Sequence, residues 1–155
     1  MSNADISKMI EGPNVLVVDV RPFIDFNKAH IKDAINFNLP STLLRRNNFT
    51  LQKCLNNLSL MENLQLKQFL YEDTASEDKK IIIYDDFPVI NSEVSMGISG
   101  ALNKFLQYED YNGELFVLSK GLPSLKKEHP DAIEHGIGED GNGSETTSPL
   151  STCPP

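Results

Sequence analysis

The chain alternates short apolar runs with longer segments of helical periodicity, and this alternation limits the folds open to it. Continuous β-branched runs are typical of strands that are buried on both faces. Three such runs and a weaker fourth lie at residues 15–20, 81–84, 115–118 and 34–38. Apolar spacing predicts helices at about 61–72 and 94–108, and a short last helix before Pro130. Buried parallel strands joined by crossover helices predict an α/β sheet with helices on both faces.

Length and charge narrow the possible partners. The 155 residues suffice for one domain, which we expect to be a monomer. The net charge of −8 argues against nucleic acid, because phosphates repel a negative surface. No apolar run reaches the ~18 residues of a membrane span, so we expect no membrane partner. Cys54 and Cys153 form no CxxC motif, which fits a reducing compartment, the cytoplasm or the nucleus.

The end of the chain has a different composition from the rest. Gly, Pro, Ser and Thr dominate the last twenty residues, and such a segment buries too little apolar surface to offset its ordering entropy. We therefore predict a folded domain over residues 5–133 and a disordered tail or linker over 134–155.

The loop after the second strong strand is the candidate ligand site, because ligands gather beyond the carboxyl ends of parallel strands. It contains neither Cys nor Arg, and its carboxylates Asp85, Asp86 and Glu93 repel oxyanions. Neighbouring residues at a strand end point to opposite faces, so we interpret Asp85 and Asp86 as solvated acids. They do not suit an acid/base pair or a magnesium site, and we predict no catalytic residue, no metal and no cofactor.

Other chemistry-bearing residues have structural interpretations. Cys54 lies among leucines and is interpreted as a small buried hydrophobic residue. Asp19 and Arg21 share one side of the first strand and are expected to pair. His30 has no nucleophile near it in the sequence and is interpreted as structural.

A basic segment is the sharpest electrostatic feature. Residues 34–61 contain no Asp or Glu, but they include Arg45, Arg46 and Lys53. Arg45-Arg46, two spacers and the apolar residues Phe49 and Leu51 form the pattern of a docking motif for mitogen-activated protein (MAP) kinases. Guanidinium forks pair with carboxylates while apolar side chains fill a neighbouring groove. We add Leu44 to this partner-binding set.

Several stretches in this order resemble the non-catalytic rhodanese-like domain at the N-terminus of MAP-kinase phosphatases and of fungal tyrosine phosphatases that act on MAP kinases. They are residues 17–23, Ala29-His30-Ile31, residues 39–46, residues 82–86 and residues 118–122. The resemblance implies a three-layer α/β fold with a mostly parallel sheet of about five strands. It also implies that Arg45 and Arg46 bind the acidic docking site of a MAP kinase, and that Asp85 and Asp86 mark a vestigial active-site loop.

By the same resemblance the domain is inactive, and it targets a protein-tyrosine phosphatase, a hydrolase, to the kinase and so down-regulates signalling. Two alternatives stay open. One is a rhodanese-like scaffold for a different partner, as in some deubiquitinating enzymes. The other is a single-domain sulfurtransferase or small phosphatase.

Overall fold

The computed structural model describes residues 2–71, 79–108, 111 and 113–136. In chain order the elements are α1 (Asn3–Glu11), β1 (Val15–Asp19), α2 (Phe23–Lys28), β2 (Ala29–Ile31), β3 (Ile35–Asn36), α3 (Ser41–Leu44), α4 (Leu51–Leu55), α5 (Leu60–Tyr71), β4 (Lys80–Tyr84), α6 (Met96–Gln107), β5 (Glu114–Val117), α7 (Leu122–Glu128), a 3-10 turn (Pro130–Ala132) and β6 (Ile133–His135). No helix within these ranges is both long and apolar enough to cross a bilayer.

A parallel sheet of four strands forms the centre, in the order β3-β1-β4-β5. This confirms the parallel α/β architecture, but the expected number of about five strands is too high for the described residues. The remaining strands, β2 and β6, form a separate antiparallel pair. Both are three residues long, too short for a periodic pattern to reveal them.

Side chains on the two faces of the sheet belong to two hydrophobic cores. Leu16 and Val18 face α3, α4, α5 and α6, whereas Val17 faces α1, α2 and α7. The same alternation separates Ile81 and Ile83 from Ile82 and Tyr84 in β4. Alternation at period two therefore buries both faces of the central strands, which explains their continuous apolar sequence.

Side-chain caps fix several helix starts. Ser95 accepts a hydrogen bond from the Ile98 backbone N–H, so α6 begins at Met96, two residues after the predicted start. Ser2 and Asp5 form a capping box at the start of α1. Sequence analysis missed α1, although the Ser-x-x-Asp spacing and the apolar residues Ile6, Met9 and Ile10 at helical spacing were signals for it.

The described fold extends slightly beyond the predicted domain limits. Its first helix begins at Asn3, and β6 pairs with β2 as far as His135. The predicted tail lies outside the described residues from position 137 onward, and so does Cys153.

Candidate functional site

The two arginines lie on a short loop between α3 and α4. Arg45 and Arg46 are exposed, and neither guanidinium has an ion-pair partner among the described residues. Hydrogen bonds along the chain hold the loop, since the Arg46 N–H donates to the Leu43 carbonyl and the Phe49 N–H to the Arg46 carbonyl, both at 3.1 Å. The loop therefore presents two cations to solvent from an ordered backbone.

Buried leucines anchor the loop at both ends. Leu44 is 4% exposed and Leu51 is 3% exposed, and both belong to the core on this face of the sheet. Leu44 packs on Gly100 of α6 so closely that a Cβ there would lie 2.9 Å from the Leu44 Cβ. This corrects the partner-binding assignment of Leu44 and Leu51, because their apolar side chains are already covered by the domain itself.

A buried lysine holds the middle of the loop. Lys104 of α6 is 1% exposed, and its ammonium donates a hydrogen bond of 2.6 Å to the Arg46 carbonyl. The same ammonium lies 6.0 Å from the ring centroid of Phe49, which is half-buried against the core. Phe49 thus stabilises the loop from inside, and only part of its surface is open to a partner.

Sequence analysis missed Lys104. Its position offered a signal, because the neighbouring helical positions Ala101 and Phe105 are apolar and fully buried, which places residue 104 on the buried face of α6. A lysine in that position is unusual, since lysine is almost never fully buried without a partner.

The loop after β4 differs from the prediction. Asp85 is 5% exposed rather than solvated, and its carboxylate accepts the Phe87 N–H at 2.9 Å. Asp86 instead accepts a hydrogen bond of 3.2 Å from Arg21. The two carboxylates do not share a partner. Asp85 needs its donor because a buried carboxylate must be satisfied by hydrogen bonds, whereas the half-buried Asp86 ties the loop to Arg21.

Asp19 and Arg21 pair as predicted. Arg21 Nη2 lies 2.7 Å from Asp19 Oδ2 and 2.5 Å from the Ala29 carbonyl oxygen, and the Tyr84 hydroxyl donates to Asp19 at 2.5 Å. Burial raises the pKa of the Asp19 carboxyl, although its hydrogen bonds from Arg21 and Tyr84 oppose this effect. Burial also raises the pKa of Tyr84 well above its usual value. Each nitrogen of the Arg21 guanidinium donates a hydrogen bond, and together these bonds hold β1, β2 and the β4 loop in place.

Cys54 and His30 also occupy structural positions. Cys54 is fully buried, and burial raises the pKa of its thiol to about 11, the opposite of an activated nucleophile. His30 stacks on Phe26 with ring centroids 4.0 Å apart, and its Nδ1 donates to the Phe26 carbonyl at 2.8 Å. Neither residue is arranged for nucleophilic or acid/base catalysis.

Comparison with known proteins agrees with this architecture. The model of the family described as "Rhodanese-like domain" matches residues 2–128. Tyrosine-protein phosphatase 3 of Saccharomyces cerevisiae is 37% identical over 134 residues, which cover 83% of this chain and 14% of that protein. Tyrosine-protein phosphatase 1 of Schizosaccharomyces pombe is 25% identical over 79% of this chain and 21% of that protein. The chain thus spans about a fifth or less of these relatives.

Two solved structures share the fold. The Saccharomyces cerevisiae protein Ygr203w, described as a homolog of single-domain rhodanese and of the Cdc25 phosphatase catalytic domain, has a TM-score of 0.57 at 17% identity, covering 88% of this chain and 87% of that one. The BH2092 protein of Bacillus halodurans has a TM-score of 0.51 at 21% identity, covering 88% and 77%. With its three-layer fold and most of its length matched by the family model, the chain belongs to the rhodanese-like domain family.

Proposed function

We propose that this domain binds a MAP kinase through Arg45 and Arg46 and so brings a tyrosine phosphatase to the kinase. The observation that carries the proposal is the pair of exposed guanidiniums, unpaired within the described residues, on an ordered loop. Guanidinium forks suit carboxylates because they form two parallel hydrogen bonds at once. An acidic docking site on a kinase offers such carboxylates.

The charge of the surroundings supports the same proposal. Residues 34–61 contain no acid, so no neighbour on this segment competes for the arginines, although the whole chain carries −8. A local cationic patch on an anionic body selects one oriented acidic surface and disfavours others. The relatives named as tyrosine phosphatases support the assignment of the parent activity.

The geometry gives less support to the enzymatic alternative. Asp85 fixes the backbone of the β4 loop, and Arg21 is committed to both Asp19 and Asp86. The buried Cys54 with its raised pKa is a poor nucleophile. A partner-binding role therefore agrees better with how these side chains are used.

Calorimetric titration of a purified MAP kinase with the Arg45→Ala/Arg46→Ala variant tests the proposal. We expect a loss of about 2–4 kcal/mol in binding free energy, because two charge-assisted contacts disappear. Lys126→Ala/Lys127→Ala is the matched control, since it removes two exposed cations from α7 on the other face of the sheet. Equal affinities for the two double variants would refute the proposed function.

A further inference from the structure

A cavity lies beside the loop that carries the arginines. It lies between residues 47–52 and the second half of α6 and has a volume of about 520 Å³. Its polar walls are formed by Asn47, Thr50, Gln52, Lys104 and Gln107. This volume is many times the ~10–15 Å³ that one water molecule needs on the same measure, so a side chain of a partner can enter it.

Lys104 is the one residue with a charged side chain among those that line this cavity. Neither residues 34–61 nor α6 contains an acid, and together they hold four cations, Arg45, Arg46, Lys53 and Lys104. These two segments therefore carry positive charge in a chain whose net charge is negative. Such segments attract an anion and repel a cation.

Lys104 differs from the arginines in being buried, and it too lacks a counter-ion among the described residues. Among the described residues its ammonium contacts the Arg46 carbonyl and the face of the Phe49 ring, and it has no carboxylate partner. An ammonium has three donors, so one carbonyl leaves part of its hydrogen-bonding capacity unused. Burying a cation without a counter-ion is costly, and an anion entering the cavity would offset that cost.

We propose that this cavity binds a carboxylate side chain from an acidic peptide segment, with Lys104 supplying the charge and the side-chain amides of Asn47 and Gln52 supplying further donors. The inference rests on the proposed function in one respect, that the segment belongs to the partner that Arg45 and Arg46 bind. The Lys104 ammonium also contacts the Arg46 carbonyl, so the cavity borders the loop that carries the arginines.

Titration of the domain with a peptide, monitored by NMR, tests whether the cavity binds a carboxylate, and it needs no kinase. The probe is a blocked decapeptide containing three aspartates, and its twin carries asparagine at those positions. In the ¹⁵N-labelled protein, we expect the aspartate peptide, and not its twin, to shift the amide signals of Asn47, Gln52 and Lys104. The aspartate peptide should also shift the amide signals of Arg45 and Arg46, and in the Lys104→Met variant these should still shift while the shifts at Asn47 and Gln52 disappear.

Gln52→Glu gives a second variant that keeps the fold, because Gln52 is exposed in the first turn of α4, where a carboxylate is favourable. A carboxylate at position 52 replaces a proposed donor by a like charge beside the peptide carboxylate, and it should weaken binding at least about tenfold. Asn27→Asp adds the same charge on α2, on the other face of the sheet, and should change binding by less than about twofold.

Shifts confined to the arginines, no shifts at all, or equal effects of Gln52→Glu and Asn27→Asp would each overturn the proposal. These outcomes are separate from a failure of the proposed function, which is decided by the kinase titration alone.

Discussion

At the scale of single residues, four cations of this domain have three kinds of environment. Arg45 and Arg46 are exposed and lack ion-pair partners among the described residues, whereas Arg21 is buried and paired with two carboxylates. Lys104 is buried without a carboxylate. Sequence alone indicated the first two environments, because a strand end and an acid-free loop are visible in it. The environment of Lys104 depends on which face of α6 meets the arginine loop, and that is a tertiary contact.

The burial of Cys54 predicts slow alkylation. In a Cys153→Ser variant, iodoacetamide at pH 8 should modify Cys54 at least ~100-fold more slowly in the folded protein than in urea, because only the thiolate reacts. With a pKa of about 11 against ~8.5 for a free thiol, the folded state holds the proton more tightly. The stability from this group is therefore present below about pH 8.5 and is lost as the pH rises toward 11.

Mass spectrometry of the Cys54 peptide against time measures the rate. Alkylation rates of the folded and unfolded protein that lie within a few-fold of each other would show that the Cys54 thiol is accessible and would contradict its burial.

At the scale of elements, long periodic segments were predictable and short ones were not. The predicted helix at 61–72 corresponds to α5 (Leu60–Tyr71), and the strand at 81–84 corresponds to β4 (Lys80–Tyr84). The helices α3 and α4 span four and five residues, which is about one turn and too short for a 3.6-residue period to appear. The loop that carries the arginines was therefore located by its charge, while the burial of its flanking leucines could not be read from the sequence.

The turn before α7 depends on Gly121. This residue has φ +80° and ψ 165°, a backbone conformation that is essentially restricted to glycine, and a Cβ on it would lie 2.7 Å from the Asp86 carbonyl oxygen. Gly121→Ala should lower the free energy of unfolding by about 1–3 kcal/mol in urea titrations.

Gly12→Ala is the matched control. Gly12 has an ordinary φ of −82°, and a Cβ there would meet its nearest atom, the Met9 carbonyl oxygen, at 3.4 Å. Gly12→Ala should change the free energy of unfolding by no more than about 0.5 kcal/mol. Similar free energies of unfolding for the two variants would show that the backbone at position 121 can move away from Asp86 without loss of stability.

At the scale of the whole molecule, attraction at one patch competes with repulsion from the body. The chain carries −8 in total, and the arginine loop lies in a stretch without acids. Short contacts at the patch favour an acidic partner, while the rest of the surface repels it over longer distances. The net charge and the location of the patch both follow from the sequence, but the exposure of the patch follows only from the fold.

This competition predicts how salt acts on binding to a MAP kinase. Raising NaCl from 50 to 500 mM should weaken the wild-type complex about tenfold or more, because screening reduces the contact attraction. The residual binding of Arg45→Ala/Arg46→Ala should not weaken, since in that variant screening mainly relieves repulsion. Calorimetry at four salt concentrations gives the dependence of the binding affinity on salt for each protein. Equal dependence for the wild type and the variant would contradict the assignment of the attraction to these arginines.

The pairing of β6 with β2 has a practical consequence for surface immobilisation. Both strands border the core shared by α1, α2 and α7, and the Gly136 N–H donates to the Lys28 carbonyl on that side. Position 136 therefore lies in the layer opposite the arginine loop. In a chain shortened to end at Gly136, a biotin or affinity handle at the new carboxyl terminus should tether the domain to a sensor chip with Arg45 and Arg46 on the side away from the support.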